Sequence, residues 1–228
     1  MDRKHFVIAI DGPAGAGKST IAKRVANELG FLYVDSGAMY RAVTLKAMRK
    51  GVPFDDKSAL IACARRATIE LLQAPDGCKV LLDGEDVGNA IRTEDVSKNT
   101  GPVASTLEIR EILWDMQRNY RKEHDIVMEG RDIGSKVFPD AQMKIFLDAS
   151  VAERAQRRFL QLQQQGLPAD LAGIEQEIAA RDERDRQRSI APLLRLPDAR
   201  YLDTTGLTMD DEVARIVAWY RSMKENAG

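Results

Sequence analysis

The sequence predicts an α/β fold: a five-stranded parallel sheet flanked by helices, with a small β-containing insertion and a helical lid. Three observations predict it. Five short apolar runs, at 5–10, 31–34, 125–128, 143–147 and 200–202, read as strands buried on both faces. Helical patterns at 19–29, 38–50, 150–165 and 209–224 alternate with them, as strands and helices do around a parallel sheet. A glycine-rich turn joins the first run to the first helical pattern.

Taken in order, the first run opens at His5 and ends in that turn, and residues 19–29 follow as a helix. The run at 31–34 leads directly into the helical pattern from Ala38. Between Gly51 and Arg92 the alternation breaks. Two β-rich runs, 67–72 and 79–82, flank Ala74-Pro75-Asp76-Gly77 and read as a hairpin, with 85–87 as a third strand. Residues 106–122 form a helix that returns the chain to the sheet at 125–128. After the strand at 143–147 and the helix at 150–165, Gly166-Leu167-Pro168 punctuates a glutamine-rich stretch that is either a surface loop or a mobile lid. The division that follows is a single unit over 1–228. Its core spans about 1–36, 123–150 and 189–228, its insertion about 37–122 and its lid about 151–188.

At 228 residues the chain can bury a large core. Its 34 Lys and Arg against 35 Asp and Glu leave no cationic surplus, which argues against long nucleic acid as the ligand. Cys63 and Cys78 form no metal or redox motif and suit a reducing cytoplasm. No apolar run approaches a membrane span or a signal-peptide core.

Gly12-Pro13-Ala14-Gly15-Ala16-Gly17-Lys18-Ser19 fits G-x-x-x-x-G-K-[ST] between a strand and a helix. Backbone N–H groups of such a loop, with the positive end of the following helix, cradle phosphate oxygens. Gly12, Pro13, Ala14, Gly15, Ala16, Gly17, Lys18, Ser19 and Thr20 are therefore the expected ATP site. Lys18 is placed for the β- and γ-phosphates and the Ser19 hydroxyl for Mg²⁺. No Asn-Lys-x-Asp guanine signature is present, and Ile126-Val127-Met128-Glu129 is the nearest candidate for an acidic Walker B strand.

Arginines mark where a second phosphate could sit. Asp35-Ser36-Gly37-Ala38-Met39-Tyr40-Arg41 and Glu129-Gly130-Arg131-Asp132-Ile133-Gly134 each follow a strand, so both turns open into the ligand crevice of an α/β sheet. Ser36 also reads as the N-cap of the following helix. Arg181, Asp185 and Arg188 fall on one helix face, while Asp182 and Arg186 suit a solvated i,i+4 pair. Every basic residue between Lys144 and Lys224 is Arg, the side chain that grips phosphate bidentately, although a GC-rich genome would also favour it. His5 and His124 are the two histidines and read as structural, so no histidine base is available.

In this order, the motifs of residues 10–18, 35–41, 130–134, 144–149 and 181–188 resemble the bacterial cytidylate (CMP/dCMP) kinases, over nearly the whole chain. The resemblance implies the P-loop kinase fold, an enlarged monophosphate-binding insertion and a lid with arginines near 154–158, Arg157 among its catalytic residues. It places Arg110 and Asp132 on cytosine, Arg181 and Asp185 on the sugar, and Arg41, Arg131 and Arg188 on the phosphate, with Ser36 nearby. Lys18, Arg131, Arg188 and Arg157 are the catalytic set. By itself, Arg110 reads as a solvated residue of the 106–122 helix. Where relatives place a base-contacting serine this chain has Thr100-Gly101-Pro102, leaving Thr100 or Ser105 to replace it. The expected function is ATP-dependent phosphorylation of CMP or dCMP by a cytoplasmic monomer, with Mg²⁺. A kinase of UMP, dTMP or shikimate, or a nucleotide-binding regulator, remains open at this stage.

Overall fold

The computed structural model describes residues 5–74, 77–164 and 166–226. Pro75 and Asp76 of the expected hairpin turn, and Gln165 beside Gly166-Leu167-Pro168, lie outside them. Five strands, β1 (Val7–Asp11), β2 (Leu32–Asp35), β6 (Ile126–Gly130), β7 (Met143–Asp148) and β8 (Arg200–Asp203), form one parallel sheet in the order β2-β6-β1-β7-β8. All five expected runs are present. Strand β1 is central, bonded to β6 and β7, and each of its residues is buried.

Strand alternation divides the core. Val7 and Ala9 face one cluster, with residues of α2 (Ser36–Arg49), α3 (Lys57–Arg65) and α5 (Leu107–Asn119). Ile8 and Ile10 face the other, with Ile21 and Val25 of α1 (Lys18–Leu29) and Ile216 of α8 (Met209–Glu225). Each fully buried isoleucine is worth about 1.5–3 kcal/mol relative to exposure. No described helix is long and apolar enough to cross a membrane.

The interruption of the alternation is a three-stranded antiparallel sheet, β3 (Ile69–Ala74), β4 (Gly77–Leu82) and β5 (Glu85–Asp86). Its inward residues Ile69, Leu71, Val80 and Leu82 join the same cluster as α2, so it shares the main core. The buried ammonium of Lys46 in α2 clamps it by donating to Arg66 O and to Asp83. Two helices go beyond the elements read from the sequence. Helix α3 is capped by Asp56, which accepts from Ala59 N at 2.9 Å. Helix α4 (Glu94–Ser105) starts at Thr93, carries acids in its first turn and contains Pro102. Toward the C-terminus, α6 (Val151–Gln164) and α7 (Leu171–Gln187) pack as a helical pair.

Asp11, at the end of the central strand, fixes the turn after β6. Its carboxylate accepts from Ile133 N at 2.9 Å and Gly134 N at 2.8 Å. That turn is wound wide, with Phe138 N donating to Ile133 O five residues back at 2.7 Å. Burial pushes the Asp11 pKa up to about 6, the two N–H donors opposing it. Asp11→Asn keeps the volume but turns a donor toward one buried N–H. It should destabilise by about 1–3 kcal/mol, roughly 2–12 °C in Tm for a chain this size. Thermal unfolding checks this, and an unchanged Tm would mean the turn holds itself.

Candidate active site

The phosphate loop is shaped by contacts only glycine allows. A Cβ on Gly12 would lie 2.0 Å from Leu147 O, so the loop passes against β7 with no room for a side chain. Gly17 adopts φ 87° and starts α1 with no side chain capping it and no acid in the first turn. The N–H groups and positive end of α1 therefore remain directed at the loop. Lys18 lies buried in that loop, donating to Pro13 O at 2.6 Å. Burial, then the nearby Arg131 and Arg181, pull its pKa down to about 7, against the pull of Glu129 and Asp11. Ser19 Oγ donates to Glu129 Oε1 at 2.5 Å. Burial and Asp35 raise the Glu129 pKa, which Lys18 and Ser19 oppose. A hydroxyl beside a carboxylate is an oxygen donor set that suits a hard divalent cation keeping several waters. Among the described residues, no cluster of three or more His, Cys, Asp or Glu could form a full protein cage.

Opposite the loop, a second set of side chains is held by carboxylates. Asp35 caps α2 by accepting from Ala38 N at 2.9 Å and holds Arg41 Nη2 at 2.9 Å. The expected cap, Ser36, instead donates to Glu129 O at 2.6 Å: it is the first helical residue, and the β2–α2 turn aims it at β6. Arg131 donates to Asp185 at 3.0 Å, and Arg188 lies 3.6 Å from the same carboxylate while donating to Ala191 O at 2.9 Å. Burial alone would raise the Asp185 pKa, but Arg131 and Arg188 hold it below the usual range. Arg181 joins this face of α7 with no hydrogen bond or ion pair among the described residues.

Arg110 corrects the sequence reading most sharply. It is 1 % exposed, because α5 turns it inward between the rings of Tyr40 and Trp114, 5.2 and 5.5 Å from their centroids. Its guanidinium pairs with Asp132 at 2.7 Å and donates to Ala104 O at 2.7 Å. Trp114 Nε1 donates to the same Asp132 oxygen at 2.9 Å. Arg110 Nε and Tyr40 Oη are buried without hydrogen-bond partners among the described residues. Nearby, Thr100 and Ser97 line the cavity, whereas Ser105 is exposed and bonded to Pro102 O. A side chain added at Gly101 would meet nothing within 4 Å.

These groups share one cavity of about 880 Å³, lined by the phosphate loop and by Arg110 and Asp132. It is large enough for two small ligands end to end. Arg157 stands apart from Arg131 and Arg188. It is bonded to Glu153 at 3.0 Å and to Thr204 at 3.2 and 3.0 Å, beside Gly17. Sequence alone assigns no role to Asp11, Asp35 or Glu212, and gives Asp182 a different partner. Asp11 and Asp35 were detectable as polar residues ending apolar strands at the crevice edge. Asp182 does not pair with Arg186; it is 1 % exposed and binds Arg154, because α7 packs that face on α6. Glu212 is buried at the cavity wall, 4.0 Å from Arg157, and burial lifts its pKa to about 7.

The family model described as cytidylate kinase matches residues 8–222. Similar proteins include the cytidylate kinase of Lactobacillus gasseri, 47% identical over 96% of this chain and 95% of its own. The cytidylate kinase of Symbiobacterium thermophilum is 49% identical over 94% of this chain and 95% of its own. Among solved structures, an uncharacterized protein from Eubacterium ventriosum superposes with a TM-score of 0.54 at 13% identity. That match covers 96% of this chain and 99% of that one, and shows a shared fold.

The depressed Lys18 pKa has a signed consequence for the free protein. Its folded value of about 7 lies below the ordinary lysine value of 10.5, so the unfolded chain binds more protons between those limits. Stability from this group therefore rises with pH across that window. Urea unfolding at pH 7 and pH 9.5 should show this gain in the wild type, and a smaller one in Lys18→Met. Equal pH increments in the two proteins would mean Lys18 is fully charged at neutral pH.

Proposed function

Because the chain belongs to the cytidylate kinase family, it transfers a phosphoryl group from ATP to CMP or dCMP, and we propose how its residues carry that reaction. The loop of residues 12–20 takes the ATP phosphates, with Lys18 on the β- and γ-oxygens. A ligand of such charge favours the cationic form of Lys18, opposing the burial and the repulsion from Arg131 and Arg181 that lower its pKa. Ser19, with Glu129 beside it, would hold the Mg²⁺ that accompanies ATP, which supplies charge neutralisation across those phosphates.

The acceptor phosphate goes to Arg41, Arg131 and Arg188, with Ser36 at the edge, and the sugar to Arg181 and Asp185. The support is the layout itself: guanidiniums held by Asp35 and Asp185 line the same cavity as Lys18. In this reading the arginines offset repulsion between the two phosphates and stabilise charge on the group in flight. An ionised acceptor phosphate needs no strong base. Residues 37–122 serve as the monophosphate-binding insertion and 151–188 as the lid, with core about 1–36, 123–150 and 189–228. Arg157, held on the loop side by Thr204, completes the catalytic set once the lid closes over ATP and sheds water. The free thiols Cys63 and Cys78 support a cytoplasmic workplace, and the protein acts as a monomer in this reading.

The buried Arg110–Asp132 pair carries the choice of base. Cytosine presents an N4 amino donor beside acceptors at N3 and O2, matching a carboxylate beside a guanidinium. Uracil presents O4 and N3–H and opposes both. The packing between Tyr40 and Trp114 supports a rigid reader, and the orphan Arg110 Nε and Tyr40 Oη leave polar capacity for a ligand.

Asp132→Asn tests this while keeping the volume. The ratio of CMP to UMP kcat/KM should fall by about 5- to 150-fold, the equivalent of the 1–3 kcal/mol of a good base-edge pair. A constant ratio would show that Asp132 does not read the base. On the donor side, Lys18→Ala should retain the fold and lose about 10²–10³ or more in kcat. Turnover near the wild-type rate in that folded variant would remove Lys18 from the mechanism.

A further inference from the structure

We propose that Arg154 and Asp182 form a positioning link that couples ATP binding at the phosphate loop to CMP binding at α7. Arg154 is fully buried, and its guanidinium has three different attachments. Nε donates to Ala149 O at 2.9 Å, where β7 passes into α6. Nη1 donates to Ala14 O at 2.9 Å, inside the phosphate loop. Nη2 donates to Asp182 Oδ2 at 2.6 Å, on α7. One rigid plane therefore joins the donor loop, the root of α6 and the helix that carries Arg181 and Asp185.

The loop also packs directly on this side chain: a Cβ built on Gly15 would lie 3.3 Å from Arg154 Cβ. A loop that shifts to wrap phosphates must push on Arg154. On α7, Asp182 is one residue from Arg181 and three from Asp185, so moving its carboxylate moves or turns the acceptor face. Neither partner can let go cheaply, because breaking a buried ion pair leaves an unpaired charge in a low-dielectric interior. The pair is nonetheless incompletely satisfied. Asp182 Oδ1 is buried with no hydrogen-bond partner among the described residues. A purely structural plug would have that oxygen bonded. An oxygen that gains a partner when both nucleotides are bound gives the link two arrangements of different energy, which coupling requires.

The inference rests on the reading that Arg181 and Asp185 hold the acceptor. The experiment is calorimetric titration of the whole protein with CMP and with a non-hydrolysable ATP analogue, each alone and each in the presence of the other. In the wild type each ligand should tighten the other by the same factor, about 5-fold or more. Asp182→Asn and Arg154→Lys should each leave the single-ligand Kd values within about threefold and bring the coupling factor close to 1. Because a lysine can still reach one partner, Arg154→Lys is also the folded variant if the asparagine is unstable. A wild-type coupling factor of 1, or undiminished coupling in folded variants, overturns the link. So does a uniform weakening of both ligands with coupling intact, the signature of a merely structural pair. Asp185→Asn reports on the acceptor reading separately. Loss of CMP affinity there upholds it, so intact coupling in the link variants then counts against the link alone. Retained affinity removes the acceptor reading, and the proposal with it.

Discussion

The organising constraint is the repulsion among cations facing one cavity. Lys18, Arg41, Arg131, Arg181 and Arg188 converge there, in a chain whose overall charge is close to balanced. In the free protein the carboxylates of Asp35, Asp185 and Glu129 offset part of that repulsion, while burial, and after it Arg131 and Arg181, depress the Lys18 pKa. The site holds more positive charge than its own acids neutralise, which is the electrostatic complement of two phosphate-bearing ligands. Stability is given up locally so that binding energy is available when those ligands arrive.

The sheet makes that concentration possible. A parallel sheet puts the carboxyl ends of its strands on one edge, and the turns after β1, β2 and β6 open there together. Burial of β1 on both faces fixes its register, so Asp11 and Gly12 arrive at one place relative to β6 and β7. Asp11 then ties the β6 turn, and Leu147 O limits how the phosphate loop can run. Backbone contacts of this kind position the arginines more firmly than their own flexible side chains could.

Residues of α4 and α5, and of α6 and α7, complete the lining of the cavity. By sharing a core with α2, the antiparallel sheet makes α5 part of the main body, and so Arg110 enters the cavity as a buried and oriented group. Helix α7 brings Arg181 and Asp185 on one face and Asp182 on an adjacent one, with Arg188 just past its C-terminal end. One helix thus meets the ligand cavity and the protein interior together.

Much of this was legible in the chain. The five strands, the phosphate loop, the two strand-end motifs and the Arg181-Asp185-Arg188 face are encoded by neighbours in sequence, where local geometry fixes which side chains stand together. The caps of α3 and α4 were also written locally, at Asp56 and Thr93, with short apolar stripes at Leu60, Cys63 and Ala64 and at Val96 and Val103 that the sequence reading passed over. Partnerships across long separations were not legible. Asp182 has Arg186 four residues away, an adequate partner on an isolated helix, yet it pairs with Arg154 because α6 and α7 pack together. Arg110 looks solvated on a helix of mixed polarity, and becomes buried because Tyr40 and Asp132 arrive from two distant places in the chain to meet it and Trp114, one turn along its own helix. Sequence by itself determined the chemistry of the site and the order of the elements. Tertiary structure decided which charges meet, because burial, and with it the strength of every ion pair, exists only once distant segments close around it.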